Sequence, residues 1–343
     1  MRASPMTDAF RHDGGSLADY RGSLTRSDGG EAVVLTPAWP HGQTVLYDAS
    51  WRAVLAVAGP DARTWLNGMV SANVRDLTPG RHSPSFQLDP KGHILAMLDV
   101  VGLDGGAFLL LTDESERAEL EARLRRYVFI SKLTIEDRSE AWSALRLRGP
   151  AWSAAWSGAG LPELELEPGA SAALRLEGEV GAVALASAPG GVPQLELLAP
   201  APALRSVWQR LQAVSVSAGS AVQERDRILS RVPRYGMDVT AAELPQETGQ
   251  LDRLDFAKGC YIGQEIVERI RARGAVHRHW LAYRFPQIVP AGAAVEVEGR
   301  AVGKLTSLAA RGRDWFGLGY IREPHQTPGT AVTAGGVAGE VEA

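Results

Sequence analysis

Among residue types able to act as nucleophile, redox centre or metal ligand, one position stands alone: Cys260 is the only cysteine in 343 residues. It lies in Lys258-Gly259-Cys260-Tyr261-Ile262-Gly263-Gln264-Glu265, directly ahead of a stretch in which Ile266, Val267 and Ile270 supply an apolar helical face. Glu265 and Arg269 have the i,i+4 spacing of a favourable helix ion pair, and Gly274 supplies a C-terminal stop. Cys260 thus precedes a helix N-terminus, with Lys258 beside it. Dipole and ammonium both favour the thiolate, the form that attacks, exchanges and ligates. Gly259 and Gly263 permit a tight backbone and close ligand approach. A lone cysteine is equally a small buried hydrophobe, and the residues alone leave both readings open.

Other chemistries find less support. A single cysteine excludes an intramolecular disulfide and a cysteine-only metal cage, and it fits a reducing compartment. It could hold an iron–sulfur cluster only with ligands from a second chain or small thiols. Gly299-x-x-x-Gly303-Lys304-Leu305 is one residue short of a phosphate-binding loop and ends in Leu. His277 and His279 could share a strand face but lack a local third ligand, so no metal is expected. With a net charge of −4 and pI near 6.0, the chain has no positive excess for direct nucleic-acid binding. No apolar run reaches the roughly 18 residues of a membrane span, and the N-terminus lacks the core of a secretory signal. A cytoplasmic location without membrane association is expected; the oligomeric state is not readable.

The elements that must position this chemistry read as α+β. Val45 and Tyr47, then residues 53–57, suggest two strands; Gly59-Pro60-Asp61 opens a helix burying Trp65, Leu66, Met69 and Val70. A similar unit recurs at Leu145, Leu147, Gly149-Pro150, Trp152 and Trp156, so two related modules are expected. Residues 113–126 read as a helix, acidic at its start and basic at its end, burying Leu120, Leu124 and Tyr127. The dipole explains the basic residues before Tyr127 better than a nucleic-acid patch does. A strand over 128–135 follows. Strands are expected at 172–176, 180–186 and 194–198, then an amphipathic helix through Leu204, Val207, Trp208 and Leu211. After a linker at 271–277, short strands at 280–285, 294–297, 302–307, 315–320 and 330–333 suggest a small β-barrel.

The cysteine segment resembles the signature of the YgfZ-type folate-binding proteins, relatives of the glycine cleavage T-protein (aminomethyltransferase). Further resemblance lies in Arg227-Ile228 with Pro233-Arg234, in Pro245-Gln246-Glu247, and in Val57-Ala58-Gly59-Pro60-Asp61 followed by Trp65-Leu66. Asp89-x-Lys91-Gly92, the stretch from Tyr127 to Ile135, Gly303-Lys304-Leu305-Thr306-Ser307 and Leu318-Gly319-Tyr320 also have family counterparts. The resemblance covers roughly residues 40–343.

It implies a three-domain ring of the T-protein type: two α+β modules plus a C-terminal barrel around a central folate cavity. Residues 1–40 would be a flexible or loosely docked extension. Residues 41–274 would form the folate-binding region, its second module over approximately 55–148, and 275–343 the barrel. The implied cofactor is tetrahydrofolate or a one-carbon derivative. The implied role is accessory to iron–sulfur cluster assembly or repair, with assembly proteins or [4Fe–4S] client enzymes as partners and a link to tRNA modification. Cys260 would be the functional thiol, with Lys258, Gly259, Tyr261, Gly263, Gln264 and Glu265 shaping its loop. Glu196 would read the pterin edge or else be a strand's outward polar residue. Arg227 would contact folate or else be a surface helix charge, and Asn73 and Gln246 complete the implied folate set. Two departures matter. Ala96 and Met97 occupy the acidic pair's positions, with Asp99 displaced, which counts against aminomethyl transfer; Leu229 and Arg231 replace the Glu and Gly of the usual loop. A tetrahydrofolate-dependent aminomethyltransferase or demethylase is the alternative, and a binding module with a structural cysteine is a third.

Overall fold

The computed structural model describes residues 2–3, 17–20, 23–26, 44–176, 180–274 and 276–342. The expectation for residues 1–40 falls mostly outside them. Its described parts, β1 (Arg2–Ala3), β2 (Leu17–Tyr20) and β3 (Ser23–Arg26), form a three-stranded sheet in the order β1-β3-β2.

β4 (Val45–Asp48) opens a larger sheet, which the chain at once leaves. β5 (Arg52–Ala58), α1 (Ala62–Met69), β6 (His82–Leu88), β7 (Ile94–Gly102), β8 (Phe108–Asp113), α2 (Arg117–Arg125) and β9 (Thr134–Asp137) build a second sheet and its helices. β10 (Trp142–Arg148) returns to the first sheet. α3 (Trp152–Gly158), β11 (Ser171–Leu176), β12 (Val180–Ser187), β13 (Gln194–Pro200), α4 (Ala201–Gln212) and β14 (Val216–Ala218) complete that module. The orders are β11-β12-β13-β10-β4-β14 and β6-β7-β8-β5-β9. Both Gly-Pro turns recur as expected, with φ of 134° at Gly59 and 138° at Gly149.

Period-two alternation explains the stacking. On β10 and β13, Leu145, Leu147, Leu195 and Leu197 face α3 and α4, where they pack with Trp156, Leu204 and Trp208. On β5 and β7, Leu55, Val57, Ala96 and Leu98 face α1 and α2. The remaining faces meet each other through Val54, Ala56, Val101, Leu111, Ala144 and Leu198. The result is four layers, helix–sheet–sheet–helix.

α5 (Ser220–Leu229) and the short 3-10 turns Pro245–Thr248 and Leu251–Arg253 lead to α6 (Gln264–Arg273), which Gly274 ends with a φ of 66°. The barrel contains β15 (Arg278–Phe285), β16 (Ala294–Val297), β17 (Arg300–Arg311), β18 (Asp314–Arg322), β19 (Ala331–Ala334) and β20 (Val337–Glu342). It closes as β15-β18-β17-β16-β19-β20, so β20 is a sixth strand beyond the five expected. Ile228 of α5 docks against Trp280, Phe316 and Leu318 of the barrel.

Two local expectations fail. Asp113 completes β8, so the following helix starts at Arg117 rather than 113. Residues 128–133 are not a strand: pairing starts at Thr134, and Tyr127, Phe129 and Ile130 are exposed. Apolar content alone suggests a strand there, but Phe129 and Ile130 face solvent.

Candidate functional site

The cysteine loop is held from beneath by Lys258. Its ammonium donates to the carbonyls of Asn67 (2.7 Å), Val70 (2.6 Å) and Ala72 (2.6 Å) at the C-terminal end of α1. Terminal helix carbonyls lack intrahelical partners, and an ammonium supplies three donors for three acceptors. Burial draws this amine down to about 7, opposed by Asp255. Cys260 itself is exposed. The lysine is therefore a buried pin, which replaces the expected thiol–ammonium pairing.

The rest of the loop is equally constrained. Tyr261 lies under the Lys258 ammonium at 4.9 Å and packs with Phe86, Leu88, Ile94 and Val267; burial pushes its phenol up to about 12. Gly263 has a φ of 86°, and a β-carbon there would stand 2.6 Å from the Asp89 carbonyl oxygen. On the opposing turn, a β-carbon on Gly92 would meet Ile266 Cβ at 2.9 Å. A β-carbon on Gly259 would lie 2.9 Å from Arg75 Nη2. Gln264 begins α6 half-buried and Glu265 is exposed. The expected Glu265–Arg269 pair does not form among the described residues; Glu268 and Arg271 pair instead at 3.6 Å.

A separate cavity of about 270 Å³ lies where charged residues replace apolar ones on the facing sheets. Arg52, Met97, Asp99 and Arg146 line it from the strands, Gln223, Asp226 and Arg227 from α5, and Arg253 from the loop before Cys260. Arg52 bonds Asp99 and donates from Nε to Glu196 Oε1 at 2.9 Å. Arg146 takes the other oxygen, Nε to Oε2 at 3.1 Å. Both guanidiniums lie over the Trp51 ring, at 5.7 and 4.8 Å. Burial raises Asp99 and Glu196, but their arginines outweigh it and hold both below the usual carboxylate range. Asp226 meets Arg148 at 2.5 Å, and burial pushes that carboxyl up.

The sequence-predicted residues do not gather at one point. Glu196 is buried with both oxygens engaged by arginine, and it does not line the cavity. Arg227 does line it. Far from being a surface charge, it is buried; it pairs with Glu224 one turn back on α5 (2.5 Å) and ties that helix to Asp238 (2.5 Å) and Ser307 of β17 (3.0 Å). Asn73 lines a neighbouring open pocket, which shares His82 and Asp252 with the cavity, and bonds Asp76 at 2.8 Å. Gln246 donates to the Val267 carbonyl at 2.9 Å, which fixes α6. Cys260 lines neither pocket. Ala96 faces the helix-side core, whereas Met97 and the displaced Asp99 share the cavity face.

Sequence reasoning missed Arg52, Arg146, Gln223 and Arg253. The available signal was a charge at an inner-face position of an otherwise apolar strand, as in Arg52 ahead of residues 53–57. The cavity suits a polar heterocycle that offers hydrogen-bond acceptors and a donor. Gln223 Nε2 and Arg253 Nε are buried donors without a partner; His82 Nε2 donates to the Ala186 carbonyl at 2.8 Å, which leaves its Nδ1 a buried acceptor without one. Leaving such groups unpaired is costly unless something meets them. No helix among the described residues is long and apolar enough to cross a membrane.

The family model of the GCVT N-terminal domain matches residues 40–251. Over 306 residues the chain is 26% identical to a putative chloroplastic transferase of Arabidopsis thaliana, covering 87% of this chain and 70% of that protein. It is 29% identical over 256 residues to the tRNA-modifying protein YgfZ of Pectobacterium carotovorum, covering 72% of each. It is 26% identical over 238 residues to the mitochondrial iron–sulfur cluster assembly factor IBA57 homolog of Pyricularia oryzae, covering 67% of this chain and 54% of that one. The glycine cleavage system aminomethyltransferase T of Bartonella henselae has the same fold, with a TM-score of 0.89 at 20% identity over 100% of this chain and 97% of that one.

Proposed function

The chain belongs to the GCVT N-terminal domain family, and from that premise we propose that it is a cytoplasmic, folate-binding accessory protein of iron–sulfur cluster assembly or repair, with Cys260 as its functional thiol. One observation favours binding over transferase catalysis. The carboxylates Asp99, Glu196 and Asp226 are each engaged by arginine, and Met97 stands on the cavity face where the T-protein resemblance places an acid. General acid–base catalysis needs a group free to exchange a proton near working pH. Asp99 and Glu196, held ionised by guanidiniums, are poor candidates.

Tetrahydrofolate or a one-carbon derivative would be held by Gln223, Arg253 and His82 and would supply a carrier for one-carbon units. Cys260 stands outside the cavity on an exposed, pinned loop, which suits contact with a partner. The relatives named YgfZ and IBA57 support cluster-related work. The partners would be assembly proteins or [4Fe–4S] client enzymes, and tRNA modification would enter through such a client. One thiol leaves a cluster's remaining ligands to the partner.

Titration with tetrahydrofolate and complementation by Cys260→Ala test the two halves. Micromolar binding is expected, with loss of complementation and stability within about 0.5 kcal/mol of wild type, since the thiol is exposed. Absence of binding at high micromolar folate removes the folate half. Full complementation by Cys260→Ala removes the thiol half. Folate-dependent aminomethyl turnover by the purified protein would establish the transferase alternative.

A further inference from the structure

The loop between α2 and β9 presents apolar side chains to water. Phe129 is 84% exposed and Ile130 95%, with Tyr127 at 41% beside them. Both stems are stapled to α1 and the turn before it. Trp65 Nε1 donates to the Tyr127 carbonyl at 3.0 Å, and Lys132 N donates to Asp61 Oδ2 at 2.6 Å. A β-carbon on Gly59 would lie 2.4 Å from the Lys132 carbonyl oxygen, so the seat of this loop requires glycine. Val128 and Leu133 pack inward against the helix-side core, leaving Phe129 and Ile130 turned out.

The charges around the tip are unequal. Arg123 and Arg125 are spent on Glu119 and Glu121, at 2.9 and 2.7 Å. Arg126 and Lys132 flank the tip with exposed side chains and no partner among the described residues. The nearby Asp61 is occupied by the Lys132 backbone.

We propose that residues 126–132 form a docking tip for a protein partner that offers an apolar pocket for Phe129 and Ile130, rimmed by acidic side chains for Arg126 and Lys132. A lipid surface is the weaker match. Phe129 and Ile130 together carry fewer carbons than a myristoyl chain, which alone gives only marginal binding, with a K of about 10⁴ M⁻¹. A preorganised apolar anchor suits a protein pocket, where ordering costs are already met and central apolar residues dominate affinity. This inference does not depend on the folate reading.

The test places a photo-crosslinking benzoylphenylalanine at position 129, and at exposed Arg313 as control, in the full chain within the organism that makes it. The expected result is one protein crosslinked from 129 and not from 313. Once purified, that protein should bind wild type and lose at least tenfold in affinity for Phe129→Asp with Ile130→Asp. Arg126→Glu with Lys132→Glu should lose at least tenfold too, and reversing an acid on the partner's rim should restore binding. Circular dichroism and thermal melting should match wild type, because the changed side chains are exposed. No adduct specific to 129 overturns the proposal. So does an adduct to lipid with Phe129-dependent sedimentation on phosphatidylglycerol vesicles, an adduct to a second copy of the chain, or a partner indifferent to the charge reversal.

Discussion

The Lys258 ammonium and the Asn67 carbonyl meet at 2.7 Å, joining the cysteine loop to the end of α1. The same nitrogen caps Val70 and Ala72, so three bonds fasten the loop to this helix end. Lys258→Met strips donors from three buried acceptors, each worth about 1–3 kcal/mol when left unmet, partly offset by no longer burying a charge. A net loss of about 3 kcal/mol is expected in urea unfolding. Lys258→Arg should not restore it, because a planar fork cannot reach three converging carbonyls. A loss below about 1 kcal/mol would show that the pin is not structural.

Gly263 and Gly274 bracket α6 with similar left-handed backbones but different surroundings. A β-carbon at Gly263 would strike the Asp89 carbonyl at 2.6 Å and Leu88 Cβ at 2.9 Å, whereas at Gly274 it meets nothing within 4 Å. Gly274→Ala should cost only the backbone penalty, about 1 kcal/mol. Gly263→Ala adds the clash with the Asp89–Gly92 turn and should exceed about 2 kcal/mol. Equal losses in the two variants would mean that the turn yields freely.

These pairs mark what the sequence could and could not reveal. Periodicity located the Gly-Pro turns, the helix through Trp208 and most barrel strands, because burial imposes a repeat on local sequence. The signature around Cys260 was legible as a constrained loop. Its constraint was not, since Lys258 meets carbonyls almost two hundred residues away in the chain. From the sequence Glu196 reads either as a reader of the pterin edge or as a strand's outward polar residue; neither foresees that Arg52 and Arg146, from other strands, occupy its oxygens. Phe129 and Ile130 read as strand because composition cannot tell an apolar tip from a buried run.

The Glu196 cluster should titrate with a defined sign. Its folded pKa is depressed by Arg52 and Arg146 despite burial, so its contribution is present above the unfolded value near 4.5. That contribution is lost as pH falls through the lower folded value. Glu196→Gln leaves Arg146 without its carboxylate and Arg52 with Asp99 alone, and should cost about 3–5 kcal/mol at pH 7. The gap between wild-type and variant stabilities should narrow as pH falls from 7 through that lower folded value, as read by urea unfolding across the range. A gap of constant size across that range would mean that Glu196 is not the linked group.

Gln223 offers the sharpest test of ligand recognition in the cavity. Only 5% exposed, it accepts the Trp51 indole N–H on Oε1 at 3.0 Å, which orients its amide and leaves Nε2 as a buried donor without a partner. Gln223→Glu keeps the Trp51 bond but exchanges that donor for an acceptor. Tetrahydrofolate affinity should fall at least tenfold while the melting temperature changes by only a few degrees. Gln223→Met, which loses both bonds, should weaken binding comparably and also lower stability, because the Trp51 N–H is then stranded. If wild type binds folate and Gln223→Glu binds it equally well, the unmet donor serves the fold or a buried water, and recognition must rest on Arg253 and His82.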